Sequence, residues 1–334
     1  MKYTPNSLNI LTAKSYKGIG NAWIVKNLKG NESTDTIVSF LNKKITEPTT
    51  VEEFERLKND FETKLIKKFE NCCDGFVAFG DDNFPRHRGN VKESERPVFL
   101  FYKGNIDLLS IENKNISVIG LLNPKGDIEE RERKIVEQFV KNGATIVSGL
   151  AFGCDSISHQ QALDSNGKTV AILPSPLDNI LPAGNKDLAF QKIVKKGGLL
   201  VTEYGNDFKS PMELSSRYKE RDRLQALFCD TIVLAASYSR DSAERPELSG
   251  QKLDSGARLA MGYAKEYAIP RAVMYDQNLD ENNPMFDLNR DLKEQKDITI
   301  ITQDKVPETV TKLTQKKPTV KNIITGQTRL LFDE

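Results

Sequence analysis

Short apolar runs and amphipathic stretches alternate along the chain from Asn115 onward. The runs NISVIGLL (115–122), ATIVSGL (144–150), TVAILP (169–174), GLLVTEY (198–204), TIVLAAS (231–237) and RAVMY (271–275) are mostly apolar throughout, as strands covered on both faces of a sheet must be. Between the first two lies DIEERERKIVEQFVKNG, where Ile128, Ile135, Val136, Phe139 and Val140 recur at helical spacing before Gly143 stops the turn. Helices of the same kind are predicted near 155–165, 186–196, 217–228 and 256–267. Repeated β-α-β units of this sort make the fold α/β, with a doubly wound, mostly parallel sheet.

The flanks read differently. Residues 1–70 are predicted to form a small all-helical module, with Leu8, Leu11, Ile24, Val25, Leu28, Ile37, Phe40 and Leu41 in helix-like periods and polar breaks near 29–35. Residues 71–113 are turn-rich, carrying DDNFP and ERPVFLFYKGN, and are expected to connect this module to a sheet domain spanning 114–300. After Asp276 the pattern decays, and 301–334 is expected to be a linker and a C-terminal peptide, since TKLTQKKPTVKN lacks an apolar period.

Composition narrows the function classes. With 38% hydrophobic and 28% charged residues over 334 positions, the chain is globular and large enough for one main domain with smaller additions. Its formal net charge is +1, so any binding to nucleic acid must come from local patches and not from a global field. No stretch approaches the ~18 apolar residues needed to span a bilayer, and no basic and apolar leader opens the chain. A cytoplasmic protein without a membrane partner is expected. Cys72, Cys73, Cys154 and Cys229 show no C-x-x-C spacing and only His87 and His159 accompany them, so reduced thiols are expected and a zinc site is not.

In an open parallel sheet, ligands bind beyond the carboxyl ends of the strands, near the point where strand order reverses. The loop after the second strand, SGLAFGCDSISHQQAL, places Ser148, Gly149 and Gly153 in a tight turn before a helix near Asp155. Free backbone amides at such a helix start suit a phosphate oxygen, although a βα turn needs glycine anyway. Ser148, Asp155 and His159 invite comparison with a hydrolytic triad, but no G-x-S-x-G elbow is present. Asp155 reads as a cap and His159 as a hydrogen-bonded residue at the helix surface. Further on, Lys209, Arg217, Lys219, Arg221 and Arg223 crowd one span with Glu213, Glu220 and Asp222 among them. Most such runs are solvated faces, yet this one lies at the ligand edge of the sheet.

These segments, taken in order, resemble the DprA/Smf family of DNA-processing proteins over nearly the whole chain. DDNFP and FLFYKGNIDLL resemble the family's approach to its sheet, SGLAFGCDSISH its S-G-L-A-R-G-I-D-x-x-x-H motif, and LPSPLD its L-G-x-G-L-D. LVTEY resembles its L-x-S-E-Y, Arg221, Asp222 and Arg223 its R-N-R helix opening, and Ser255-Gly256 its late S-G. The resemblance implies a Rossmann-like domain that binds single-stranded DNA without base specificity, forms a homodimer and loads a RecA-type recombinase in natural transformation and related DNA handling. It implies no enzyme activity, no catalytic residues and no cofactor. The DNA-binding candidates are then Gly149, Gly153, Arg217, Lys219, Arg221, Arg223, Ser255 and Gly256.

Two departures stand out. Where the family carries G-[ST]-R after its first strand this chain has Gly120, Leu121 and Leu122, and where its glycine motif has arginine this chain has Phe152. Losing both cations weakens a phosphate track, while Phe152 gains a face for stacking on a base. Lys125 stands in the next loop as a compensating charge.

The stretch YKGIGNAWI places Gly18-Ile19-Gly20 between two apolar helical segments, with Lys14, Lys17 and Lys26 nearby. It resembles a helix-hairpin-helix, in which small glycines bring backbone amides to a phosphate, so Gly18 and Gly20 join the DNA-binding candidates. At the far end, Gln327, Leu330 and Phe332 in GQTRLLFDE fit the Q-x-x-L-x-F spacing that resembles bacterial sliding-clamp-binding peptides. Packing back on the domain is the other reading of that tail. Two further functions stay open: a nucleotide-binding sensor of the same superfamily, and an adaptor recruited by the clamp. The P-G-G-x-G-T-x-x-E motif of the related phosphoribohydrolases does not occur.

Overall fold

A computed structural model of the chain describes residues 1–315 apart from 252, 254 and 255. Four helices come first: α1 (Pro5–Lys14), α2 (Asn21–Asn27), α3 (Thr34–Asn42) and α4 (Val51–Phe69). Their starts are set by local chemistry. Thr4 and Ser7 close a capping box around α1, Ser33 caps α3, and Thr50 with Glu53 closes a second box around α4.

The strands follow as β1 (Gly75–Ala78), β2 (Phe99–Gly104), β3 (Lys114–Ile119), β4 (Ala144–Ser148), β5 (Thr169–Ile172), β6 (Leu199–Thr202), β7 (Thr231–Leu234), β8 (Arg271–Met274) and β9 (Ile298–Ile301). Helix α5 (Ile128–Lys141) joins β3 to β4, α6 (Cys154–Asp164) joins β4 to β5, and a π-helical stretch, Leu188–Val194, precedes β6. Then come α7 (Pro211–Leu227) before β7 and α8 (Gly256–Glu266) before β8. The chain continues through α9 (Gln277–Asp280), α10 (Asp287–Lys293) and, after β9, α11 (Val306–Thr314).

All nine strands form one sheet in the order β1-β2-β6-β5-β4-β3-β7-β8-β9. The pairings β1–β2 and β2–β6 are antiparallel and the others parallel. The expected doubly wound, mostly parallel Rossmann-like sheet is therefore what forms. Strands β3 to β6 run outward one way and β7 to β9 the other, so strand order reverses between β3 and β7. Ile116 pairs with Ile146 on one side and with Thr231 on the other.

Side chains alternate between two cores, as the two-residue strand period requires. Val170, Ile172, Leu199 and Val201 enter one core with Ile135, Val136 and Phe139 of α5. Ala171 and Leu200 enter the other with Leu8, Ile10, Ile24, Leu41 and Phe54 of the N-terminal helices. Phe101 of β2 is central to this second core, its ring 5.4 Å from both Phe69 and Phe76. Helices α1–α4 thus lie on one face of the sheet and share its core, and the segment 71–113 supplies β1 and β2. No helix among the described residues is long and apolar enough to cross a membrane.

One buried acid sits in the layer between α5 and α6. Glu132 is 1% exposed; Ser158 Oγ donates to its Oε1 at 2.6 Å, and the buried Cys154 thiol is its other polar neighbour. Burial pushes its carboxyl up to about 8, against an ordinary value of 4.5. Between those two values the unfolded chain gives up the proton while the folded chain keeps it, so stability falls as pH rises through that window and is flat beyond it. Gln mimics the protonated carboxyl without this slope. Thermal melting across pH 5 to 8 should therefore show Glu132→Gln gaining on the unsubstituted protein as pH rises, and parallel curves would refute a protonated Glu132.

Candidate nucleic-acid interface

The loops after β3 and β4 are held together by their own backbones. Cys154 N–H, at the start of α6, donates to Leu121 O at 3.0 Å. Gly153, at φ +68°, lies so close to the β3 loop that a Cβ would fall 2.2 Å from Leu121 O. Only glycine meets both demands.

Asp155 organises the turn above it. Its Oδ2 accepts the Gly149 and Ala151 amides at 3.1 and 3.2 Å, and Asn185 Nδ2 donates to Leu150 O at 2.8 Å. Two amides of the turn expected to offer free donors to a phosphate oxygen, those of Gly149 and Ala151, are therefore engaged internally. Gly149 instead makes room for a side chain from α7, because a Cβ there would sit 1.3 Å from Arg221 Nη1. Glycine is what lets the α7 guanidinium reach Asp155, 3.6 Å away.

Arg221 is buried and also lies 3.5 Å from Asp222, with its ring-side neighbour Tyr218 at 5.6 Å, and its Nε makes no hydrogen bond. The triad residues are dispersed. Ser148 Oγ donates to Val118 O at 2.7 Å, and His159 shares a 2.6 Å hydrogen bond with Thr169. His159 is fully buried, not at the helix surface, and burial with the nearby Arg221 charge lowers its pKa to about 3.

The cationic run of α7 separates by burial. Arg223 grips Glu203 through two bonds of 2.8 and 3.0 Å, and also donates to Glu95 O and Glu220 O. Burial alone would lower its pKa, but Glu203 reverses that and holds the guanidinium charged. Arg217 lies 4.2 Å over the Tyr204 ring and bonds Glu213, Asn206 O and Asp207 O. Both arginines, expected to face DNA, bind the protein's own acceptors instead. Lys219 alone of the four is exposed.

These elements enclose a cleft of about 520 Å³ beyond the ends of β3 and β4. Leu122, Phe152, Tyr218 and Leu259 form apolar walls, Asp155, Arg221, Asp222 and Gln225 contribute charge and polarity, and Lys219 lines it too. Phe152 and Leu122 are half exposed, and Gln225 Oε1, like Arg221 Nε, is buried without a hydrogen bond. Gly256 lines the cleft at the start of α8; Ser255 lies outside the described residues. Lys125 is exposed but is not among the lining residues. Sequence reasoning missed the walls from Tyr218 and Leu259 and the buried acceptor of Gln225, since nothing local marks them.

Gly18 and Gly20 stand exposed in the turn between α1 and α2, with open space where a Cβ would project. Gly18 has φ +89°, which the tight turn requires, and Gly20 precedes α2 in extended backbone. Gln327, Leu330 and Phe332 lie outside the described residues. No group of three or more His, Cys, Asp or Glu that could hold a metal occurs among the described residues.

An open sheet with a cleft at its strand reversal defines a Rossmann-like fold. Within that class, the model described as DNA recombination-mediator protein A matches residues 75–243, from the first residue of β1 to beyond β7, and the chain belongs to that family. It is 32% identical over 181 residues to DNA processing protein DprA of Streptococcus pneumoniae, covering 54% of this chain but only 59% of that relative. It is 28% identical over 223 residues to protein Smf of Borreliella burgdorferi, covering 63% and 68%. The fold is similar to the X-ray structure of the pneumococcal DNA processing protein A, with TM-score 0.67 and 22% identity over 95% of this chain and 100% of that one. It is also similar to DNA processing protein A from Helicobacter pylori, solved for its single-stranded DNA binding mode, with TM-score 0.51 and 21% identity over 69% and 97%.

Removing one member of a buried ion pair strands the other charge, at a cost of about 3 kcal/mol or more. Arg223→Ala should accordingly lower the urea midpoint sharply by stranding Glu203, whereas Lys219→Ala should leave it unchanged. Equal midpoints for the two variants would show that Arg223 is not structural.

Proposed function

We propose that this protein binds single-stranded DNA in the cleft at the strand reversal and serves, without catalysis, as a recombination mediator. The observation that carries the reading is the pairing of an exposed aromatic, Phe152, with an exposed cation, Lys219, on one cleft of a chain from the recombination-mediator family. A strand without sequence preference is held by stacking and by charge. Here the balance shifts toward stacking: the two family arginines are replaced by Leu122 and Phe152, and the carboxylates of Asp155 and Asp222 line the same cleft as Arg221. Carboxylates repel phosphates, so the phosphodiester runs along the Lys219 rim while a base meets the apolar walls.

The finer steps belong to the same proposal. Gly149, Gly153 and Gly256 shape the cleft, Arg221 fixes its floor, and the exposed hairpin of Gly18 and Gly20 gives a second contact. Homodimer formation and delivery of the strand to a RecA-type recombinase in the cytoplasm follow from the family's role as mediator. A free nucleotide is the second reading, favoured by the modest volume and by Gln225 Oε1, buried without a hydrogen bond on the same cleft.

Fluorescence anisotropy with a labelled single strand and its duplex, over a range of salt, separates these. The expected result is preference for the single strand, with Phe152→Ala weakening it by about 1–3 kcal/mol, the value of one stacked base. Lys219→Ala should reduce the salt slope by ~0.7, one phosphate contact. Absence of single-strand binding, with thermal stabilisation by a mononucleotide, would replace this reading with the second one.

A further inference from the structure

A second groove, of about 690 Å³, follows the seam between the N-terminal helices and the sheet and shares no lining residue with the first cleft. Four lysines reach it from three parts of the chain: Lys14 from α1, Lys64 and Lys68 from α4, and Lys209 from the loop leading into α7. Among the described residues, Glu203 is the only carboxylate on its lining, and Arg223 already chelates it. Lys68 stands 3.2 Å from Asp207 and 3.6 Å from Asp178. Lys64 and Lys209 are exposed; the Glu213 carboxylate accepts the Lys209 backbone amide at 2.8 Å and is lowered in pKa by the backbone hydrogen bond and by the Arg217 and Lys209 charges, so Glu213 is the counter-charge nearest Lys209.

Lys14 differs from the others. It is half-buried, its ammonium donates to Asn21 Oδ1 and lies 5.8 Å over the Phe99 ring, and burial lowers its pKa against the pull of Glu203. Phe61 and Phe99 add apolar surface between the charges. Convergent lysines with few counter-charges raise the local potential for a polyanion, and a cationic groove interrupted by aromatic rings is the surface that tracks a single strand.

We propose that this seam groove is a second phosphate track, carrying the part of the single strand that extends beyond the cleft. It rests on the reading of the cleft as a single-strand site. Continuity argues for that occupant over an acidic polypeptide. Lys14 is within electrostatic reach of Arg223 and Glu220 on α7, the helix that presents Lys219 and Arg221 to the cleft, and Lys209 lies just before that helix begins. A strand passing along α7 meets both sites, whereas a protein partner of the seam has no need of the cleft.

The test compares labelled oligothymidylates of about 5 and about 25 nucleotides, lengths bracketing a single binding site, on the full chain and on Lys64→Ala/Lys209→Ala. The long strand should bind the variant roughly tenfold more weakly, with its salt slope reduced by ~1.4 for two lost phosphate contacts. The short strand should be unaffected, and the melting temperature unchanged, because both lysines are exposed. If the variant binds the long strand as the unsubstituted chain does, the cleft reading stands and the seam track is refuted. If both strands lose affinity equally, the lysines are not a distal track. If the unsubstituted chain binds neither strand, the cleft reading fails and takes this inference with it. Polyglutamate bound as tightly as the long strand, with the same loss in the variant, would assign the groove to an acidic protein segment instead.

Discussion

The ligand edge of this protein depends on one carboxylate. Asp155 holds the Gly149 and Ala151 amides on one side and faces the Arg221 guanidinium on the other. The turn between β4 and α6 and the helix α7 are thereby fixed to each other across the strand reversal. A charge this deeply buried is costly unless it is paired and hydrogen-bonded. The glycine at 149 is what makes pairing possible, since any side chain there would occupy the place of the guanidinium. The cleft and the orientation of α7 rest on that contact.

The same logic governs the other arginines of α7. A net charge of +1 leaves little cation in excess, and the structure uses guanidinium groups where planar, multi-donor geometry suits internal acceptors. Arg223 ties α7 to the residue just after β6 through Glu203 and to the segment before β2 through Glu95 O. Arg217 pins the loop of Asn206 and Asp207. Lysines, which gain less from fixed partners and keep their heads in water, are left on the outside: Lys219 at the cleft, Lys64 and Lys209 at the seam. Charge available to a ligand is thus a different set from charge counted along the sequence.

Much of the sheet was legible because β3 to β8 are mostly buried on both faces and read as mostly apolar runs. The edge strand β9 was not, since three of its four residues are partly or fully exposed and its run, ITII, is short. Strand β1 hid among glycines and β2 was signalled only by the resemblance of FLFYKGNIDLL to a family strand; both pair antiparallel once the chain has folded back. Helix α7 begins at Pro211 instead of near 217 because Ser210 accepts from Glu213 N–H with Pro211 at the first helical position, a start signal that was present in the sequence. The site was harder. Glycine positions followed from the motif order, but the roles of Arg217, Arg221 and Arg223 turn on partners as far off as Asp155 and Glu95, and no local pattern encodes those pairings.

The helical layer also changes what the sheet can do. Had α1–α4 formed an independent module on a linker, its cations would act on a ligand only through effective concentration. Instead Phe69, Phe76 and Phe101 weld it to the sheet, and Asn21 bridges Lys14 to the Arg96 carbonyl just ahead of β2. The turn of Gly18 and Gly20 is therefore carried at a fixed position relative to α7. A rigid surface of this kind costs a bound strand no ordering of the protein, so even a few modest contacts, one aromatic face and scattered lysines, can add along its length. On the proposed reading, contacts at the cleft and the seam together stand in for the arginines that Leu122 and Phe152 replace.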